Sequence, residues 1–260
     1  MRTFLLCSAL LAVGGLAASP AFAADPTDPP GDFTISGTAA FVSQYRFRGI
    51  AQSDNKPAVQ AGFTVSHASG LYVSAWGSSA SAGNSVVDIG GSEIDVYGGY
   101  THELGHSGVT IDAGAYGYIY PGAPGGNIYE LYGSVATTYG PATMKAGVNF
   151  APDQRNTSRS STYVYGEVSG GIPSTPISLH AHVGHTGGAF DYASRDYIDY
   201  SVGVSYKWKM LTFDISAVGT NISRRDAARD PLPDGTGVLS PRQTYRAAKS
   251  VAVASVTAQF

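Results

Sequence analysis

Along most of this chain, apolar and polar side chains alternate with a period of two. Ile94, Val96, Gly98 and Tyr100 interleave with Glu93, Asp95, Tyr97 and Gly99. Ile198, Tyr200, Val202, Val204 and Tyr206 interleave with Asp199, Ser201, Gly203 and Ser205. Met144, Ala146, Val148 and Phe150 alternate with Thr143, Lys145, Gly147 and Asn149, and Ile177, Leu179, Ala181 and Val183 with Ser178, His180, His182 and Gly184. A strand sends successive side chains to opposite faces, so each segment carries one apolar and one largely polar face. The pattern predicts twelve strands, at about 33–47, 57–67, 70–78, 92–102, 108–119, 127–139, 142–151, 162–171, 176–185, 196–207, 210–221 and 247–260. No convincing stretch of helical period interrupts them.

The connections sort by length. "ASG", "ELGHSG", "GP", "IPSTP" and "KWKM" are short, whereas "RGIAQSDNK", "GSSASAGNSVVDIGG", "YPGAPGGN", "APDQRNTSRS", "HTGGAFDYASR" and the run 221–246 are longer and polar. Short periplasmic turns opposite longer extracellular loops, with an even strand count, describe a transmembrane antiparallel β-barrel. A soluble sandwich also alternates, but has no reason to sort its connections this way. The ending "KSVAVASVTAQF" fits the barrel. Ala252, Ala254, Val256 and Ala258 share one face with Phe260, which would fall in the aromatic girdle at the periplasmic boundary and serve as an assembly signal.

Composition narrows the setting. Arg2, the apolar run "FLLCSALLAVGGLAA" and Ala21-Phe22-Ala23 read as a signal peptide over 1–23, followed by a Pro/Asp-rich linker at 24–32 and the barrel at 33–260. Cys7, the only cysteine, lies in the predicted leader, so no disulfide or thiolate chemistry is expected of the mature chain. Without Arg2, 15 Lys and Arg face 19 Asp and Glu, which argues against nucleic acid as a partner. No second apolar run is long enough for a membrane helix, so a membrane form must cross with strands.

The polar faces supply the candidate lumen. Glu93, Asp95, Asp112, Glu130, Glu167, Asp199 and Asp214 are its acids; Arg46, Lys145 and Lys249 are its bases; His180 and His182 accompany them. This imbalance favours cations. Twelve strands leave open whether such an interior is a water-filled pore or is packed with its own side chains. His180 and His182 share a face, but zinc needs a third ligand from another strand, and none stands out. His102 and His185 fall on the apolar side without an evident serine partner, as a lipid hydrolase would need. "GAPGGN" lacks the Lys of a phosphate cradle. The Arg-rich run 221–246 could fold inward as a constriction, meet lipopolysaccharide phosphates, or remain a solvated loop. "NTS" (156–158) and "NIS" (221–223) match a glycosylation triplet that is common by chance.

The stretch "SQYRFRGIAQSDNKPAVQAGFTVSHASGLYVSAWGS" (43–78), with "YELYGSVATTYG" (129–140) and "KAGVNFAPD" (145–153), resembles the TorF-type family of proteobacterial porin-like proteins of unknown function. The resemblance implies an outer-membrane barrel in a Gram-negative bacterium and carries no catalytic motif. The expected function is passive passage of small hydrophilic solutes with weak cation preference, without a cofactor or metal. The alternatives are a non-conducting structural or adhesive barrel and, third, a lipid-modifying enzyme. Expected partners are outer-membrane lipid, lipopolysaccharide and the barrel-assembly machinery. Oligomeric state is left open.

Overall fold

A computed structural model describes residues 31–81, 89–155, 157, 159–230 and 240–260. The predicted leader, most of the predicted linker and the triplet at 156–158 fall wholly or partly outside the described residues. The strands are β1 (Phe33–Val42), β2 (Arg46–Phe47), β3 (Ile50–Ala51), β4 (Ala58–His67), β5 (Leu71–Ser79), β6 (Ser92–Glu103), β7 (Val109–Ile119), β8 (Ile128–Tyr139), β9 (Ala142–Ala151), β10 (Ser161–Gly171), β11 (Ile177–Gly188), β12 (Tyr197–Trp208), β13 (Leu211–Thr220) and β14 (Val251–Gln259). Two helices, α1 (Arg224–Arg229) and α2 (Pro241–Ala248), precede β14.

All but β2 and β3 form one closed antiparallel barrel, each strand beside its neighbour in sequence. Closure joins β1 to β14 in a register running from Thr38↔Gln259 to Val42↔Ser255. Phe260 continues this seam: its amide donates to the Gly37 carbonyl at 3.0 Å and its carbonyl accepts from the Gly37 amide at 2.6 Å. Closing the sheet removes the free edges that an open antiparallel sheet must otherwise protect.

The alternation sets what faces in and out. On β6, Glu93 and Asp95 are 2% and 0% exposed, whereas Ile94 and Val96 are 45% and 47% exposed. The same contrast recurs around the barrel, with Phe41, Phe63, Val73, Leu131, Val148, Leu179, Val202 and Ile215 on the outside. The exterior is therefore an apolar belt and the interior polar. A continuous belt of this kind far exceeds the apolar patches that soluble monomers expose.

The predicted strands agree with the observed ones to within a few residues, with two exceptions. The first predicted strand, 33–47, stops at Val42, because the chain turns inward there. The last begins at Val251 rather than 247, because residues 241–248 form α2.

Candidate functional site: the interior and its inward-folded hairpin

One face of β6 to β10 fills the interior with tyrosines. Tyr97 stacks on Tyr116 at 4.6 Å between centroids, Tyr116 lies 4.4 Å from Tyr118, and Tyr163 lies 5.5 Å from Tyr165. The rings need space, and glycines on neighbouring strands supply it. A methyl group at Gly99 or Gly114 would collide with the Tyr132 side chain, one at Gly147 with Tyr165, and one at Gly184 with Tyr163. Gly and Tyr are abundant together because ring sits over bare backbone.

The phenol hydroxyls are directed at carboxylates. Tyr116 donates to Asp95 at 2.9 Å, Tyr120 to Glu93 at 3.4 Å, and Tyr118 to Glu130 at 3.1 Å. Tyr72 donates to Asp112 at 2.8 Å and makes a very short hydroxyl contact with Tyr132. Asn149 adds a 2.9 Å bond to Glu130. One oxygen of Glu93 and one of Asp95 have no partner among the described residues.

A second group lies on β10 to β13. His182 sits between two carboxylates, Nε2 at 2.9 Å from Asp199 and Nδ1 at 3.3 Å from Glu167. The Tyr163 hydroxyl adjoins both, 2.8 Å from His182 and 3.2 Å from Asp199. His180 Nε2 lies 2.7 Å from Asp214, which also accepts from Ser205 at 2.7 Å and Ser216 at 2.5 Å. The two ring nitrogens of His182 face different carboxylates, so the three groups do not converge on a common point. No cluster of metal-ligand geometry occurs among the described residues. Lys145 reaches the Tyr165 face at 5.8 Å.

The sequence reading treats residues 48–56 as part of an external loop. Instead the β2–β3 hairpin lies inside the barrel: Tyr45, Arg48, Ile50, Ala51, Gln52 and Ser53 are buried. Its tip spans the lumen. Arg48 donates to both oxygens of Glu130 on β8, at 2.8 and 2.7 Å, and four strands of the ring separate β8 from β1. The guanidinium also lies over Tyr163 at 4.3 Å and Phe47 at 4.7 Å. Burial works against its charge, but the Glu130 carboxylate outweighs burial and holds Arg48 protonated beyond the ordinary arginine range. Next to it, Gly49 has φ +78° and presses on Thr220, Gly219 and Asp199, so a side chain there would meet both backbone strain and wall atoms.

Arg46, expected on a lumen-facing strand, organises the base of this hairpin. Its guanidinium donates to Gly49 O at 2.6 Å, Ala247 O at 3.0 Å, Lys249 O at 3.2 Å, Asn55 Oδ1 at 2.7 Å and Gln44 Oε1 at 3.0 Å. Burial lowers it to about 10, so it stays charged at neutral pH. Lys249, expected on a lumen-facing strand, caps the C-terminus of α2 instead and is exposed. α2 packs Ala247 and Ala248 over Ile50 and Ala51 in a cluster with Tyr192, Tyr197 and Ile222, and Arg246 pairs with Asp54. The inward element is the first long connection, braced by the last.

Sequence reasoning missed Arg48 and both helices. Ser223-x-x-Asp226 and Ser240-x-x-Gln243 each form a capping box, the second with Pro241 in the first turn, and those spacings were the available signal.

A closed antiparallel barrel with a polar, partly occupied interior and an apolar exterior is a fold that this chain shares with solved porin structures. The chain belongs to the Gcw_chp family of bacterial proteins of unknown function, whose pattern it matches over residues 24–256. Among solved structures it is similar to the KdgM porin, with TM-score 0.54 and 12% identity over 86% of this chain and 99% of that one. The NanC porin gives TM-score 0.53 and 12% identity over 86% and 99%. The KdgM porin in complex with disordered oligogalacturonate gives 0.53 and 11% over 87% and 98%. Comparison with curated proteins returns no match.

Proposed function

We propose that the protein is an outer-membrane channel for passive diffusion of small hydrophilic solutes, with weak cation preference and no chemical step. The observation that carries this is the opposition of an apolar exterior to a polar interior in one closed barrel. Lipid requires every backbone group to be paired within the wall, and barrel closure meets that requirement. The short connections then face the periplasm and the long ones the outside. The TorF-type resemblance of residues 43–78 and the porin neighbours support the same reading. Cation preference follows from the excess of acids over bases among the interior side chains, Glu93, Asp95, Asp112, Glu167, Asp199 and Asp214 against Lys145, with Glu130 paired to Arg48. Phe260 serves assembly, exposed beside the seam it completes. The apolar belt takes outer-membrane lipid as its partner, and exposed Arg225 and Arg229 suit lipopolysaccharide phosphates.

The inward hairpin favours a second reading, a structural or adhesive barrel that does not conduct. Refolded protein in a planar bilayer separates the two. Discrete steps with cation-leaning reversal potentials support the channel, and a silent bilayer supports the second reading. Lipid turnover in matching vesicles would indicate an enzyme instead.

A further inference from the structure

Among the described residues, a cavity of about 270 Å³ lies toward the long-loop end, lined in part by the hairpin. Its lining comes from separate connections: Phe47 and Arg48 from the first, Tyr120 from the β7–β8 connection, and Phe190 and Tyr192 from the β11–β12 connection, with Tyr197 at the start of β12. Protein interiors leave few voids larger than a water molecule. This one would hold about nine waters at roughly 30 Å³ each, the size of a single substituted ring.

The chemistry of the lining selects among ring-sized solutes. Most of its polar side chains are already engaged by the protein. Tyr118 and Tyr120 donate to Glu130 and Glu93, Tyr192 donates to Thr244 O at 2.7 Å, and Gln52 donates to Ile50 O at 3.3 Å. A polyhydroxylated solute would find few free donors or acceptors there. What remains is aromatic surface. The charge of Arg48 is cancelled by Glu130 at 2.7 Å, and the pair is buried, so the floor of the cavity presents no net charge.

We propose that this cavity is a binding site for a neutral, planar aromatic ring. The ring packs among Phe47, Tyr120, Phe190 and Tyr192. Pockets of mostly apolar lining with a few convergent polar groups are the usual form of small-molecule sites. The site concerns equilibrium binding, so it stands or falls separately from conductance.

Nicotinamide is a suitable probe, being planar, neutral, water-soluble and poorly partitioned into micelles. The experiment titrates it into the refolded full chain in detergent by calorimetry, with ring-proton saturation transfer as the second readout and glucose as the comparison solute. Saturable nicotinamide binding is expected, without saturable glucose binding. Phe190→Ala should weaken nicotinamide about fivefold, as loss of one stacking face implies. Ala123→Trp, which fills the cavity from its rim, should abolish binding while the chain keeps its barrel circular dichroism. Absence of saturable nicotinamide binding overturns the proposal, as does equal binding of glucose. So does nicotinamide affinity unchanged in a folded Ala123→Trp chain.

Discussion

From β6 to β10 the interior is lined by Tyr97, Tyr116, Tyr118, Tyr132, Tyr163 and Tyr165, whereas from β11 to β14 it is lined by His180, Ser201, Ser205, Thr212, Asp214, Ser216 and Ser255. The second wall is small and locally supported: Asp214 draws on His180, Ser205 and Ser216, all within two strands of its own. The ring wall is bulky, and at Glu130 it depends on a guanidinium brought from a distant loop. The hairpin bridges the two. Arg48 bonds the ring wall at Glu130, while Gly49 presses against Thr220 and Gly219 at the small wall. The same alternating pattern thus builds one wall that closes on itself and one that needs an outside partner.

The largest effect that would break this contrast is expected from Arg48→Ala. It leaves Glu130 buried without its cation, and removing one member of a buried pair costs about 3–5 kcal/mol. The hairpin should loosen, giving earlier protease cleavage within residues 46–56 and a lower unfolding midpoint in denaturant. Ser216→Ala, on the locally supported wall, should lower the midpoint far less, since Asp214 keeps two further partners.

Next comes ring packing. Gly184→Ala drives a methyl group into Tyr163 and should cost about 1–3 kcal/mol in the same denaturant assay. Gly166→Ala is its control, because the nearest atom to an added methyl there is Lys145 O at 4.0 Å. Equal losses for the two would remove the ring-over-glycine account.

A smaller effect, seen in selectivity rather than stability, is expected from Glu93→Gln with Asp95→Asn. The pair removes two buried interior acids while sparing the Arg48–Glu130 bridge, so the reversal potential in an alkaline salt gradient should move toward zero. An unchanged potential in a conducting channel would place these carboxylates off the ion path.

The smallest concerns the outer rim. Hydrogen bonds from Ser223, with Arg195 beside it, hold Asp226 at about 2, below the ordinary aspartate value. Its contribution to the α1 cap is complete above the unfolded value and is lost as pH falls through about 2. The Asp226 carboxyl resonance should therefore stay that of a carboxylate at pH 3.5, a result that Ser223→Ala should shift upward.

The barrel was legible because its information is local and repeated: Glu93-Ile94-Asp95-Val96 already states which side chains face in. The sorted connection lengths gave the two ends in the same way. The hairpin was not legible, since "RFRGIAQSDNK" has the composition of a solvated loop, and its burial depends on Glu130, Tyr163 and α2, far away in sequence. Arg48 stands just beyond the strand that the alternation predicts, so a reading based on strand faces passes over it. The helices are short, and their capping boxes were the only local mark they left.

The most direct measurement compares single-channel conductance of the full chain with that of a chain whose residues 46–55 are replaced by a short Gly-Ser turn, both in the same bilayer and salt. A polar conduit narrowed by an inward hairpin should give small discrete steps for the full chain and steps several-fold larger for the shortened one. Silence from both folded proteins, or identical steps, would contradict it.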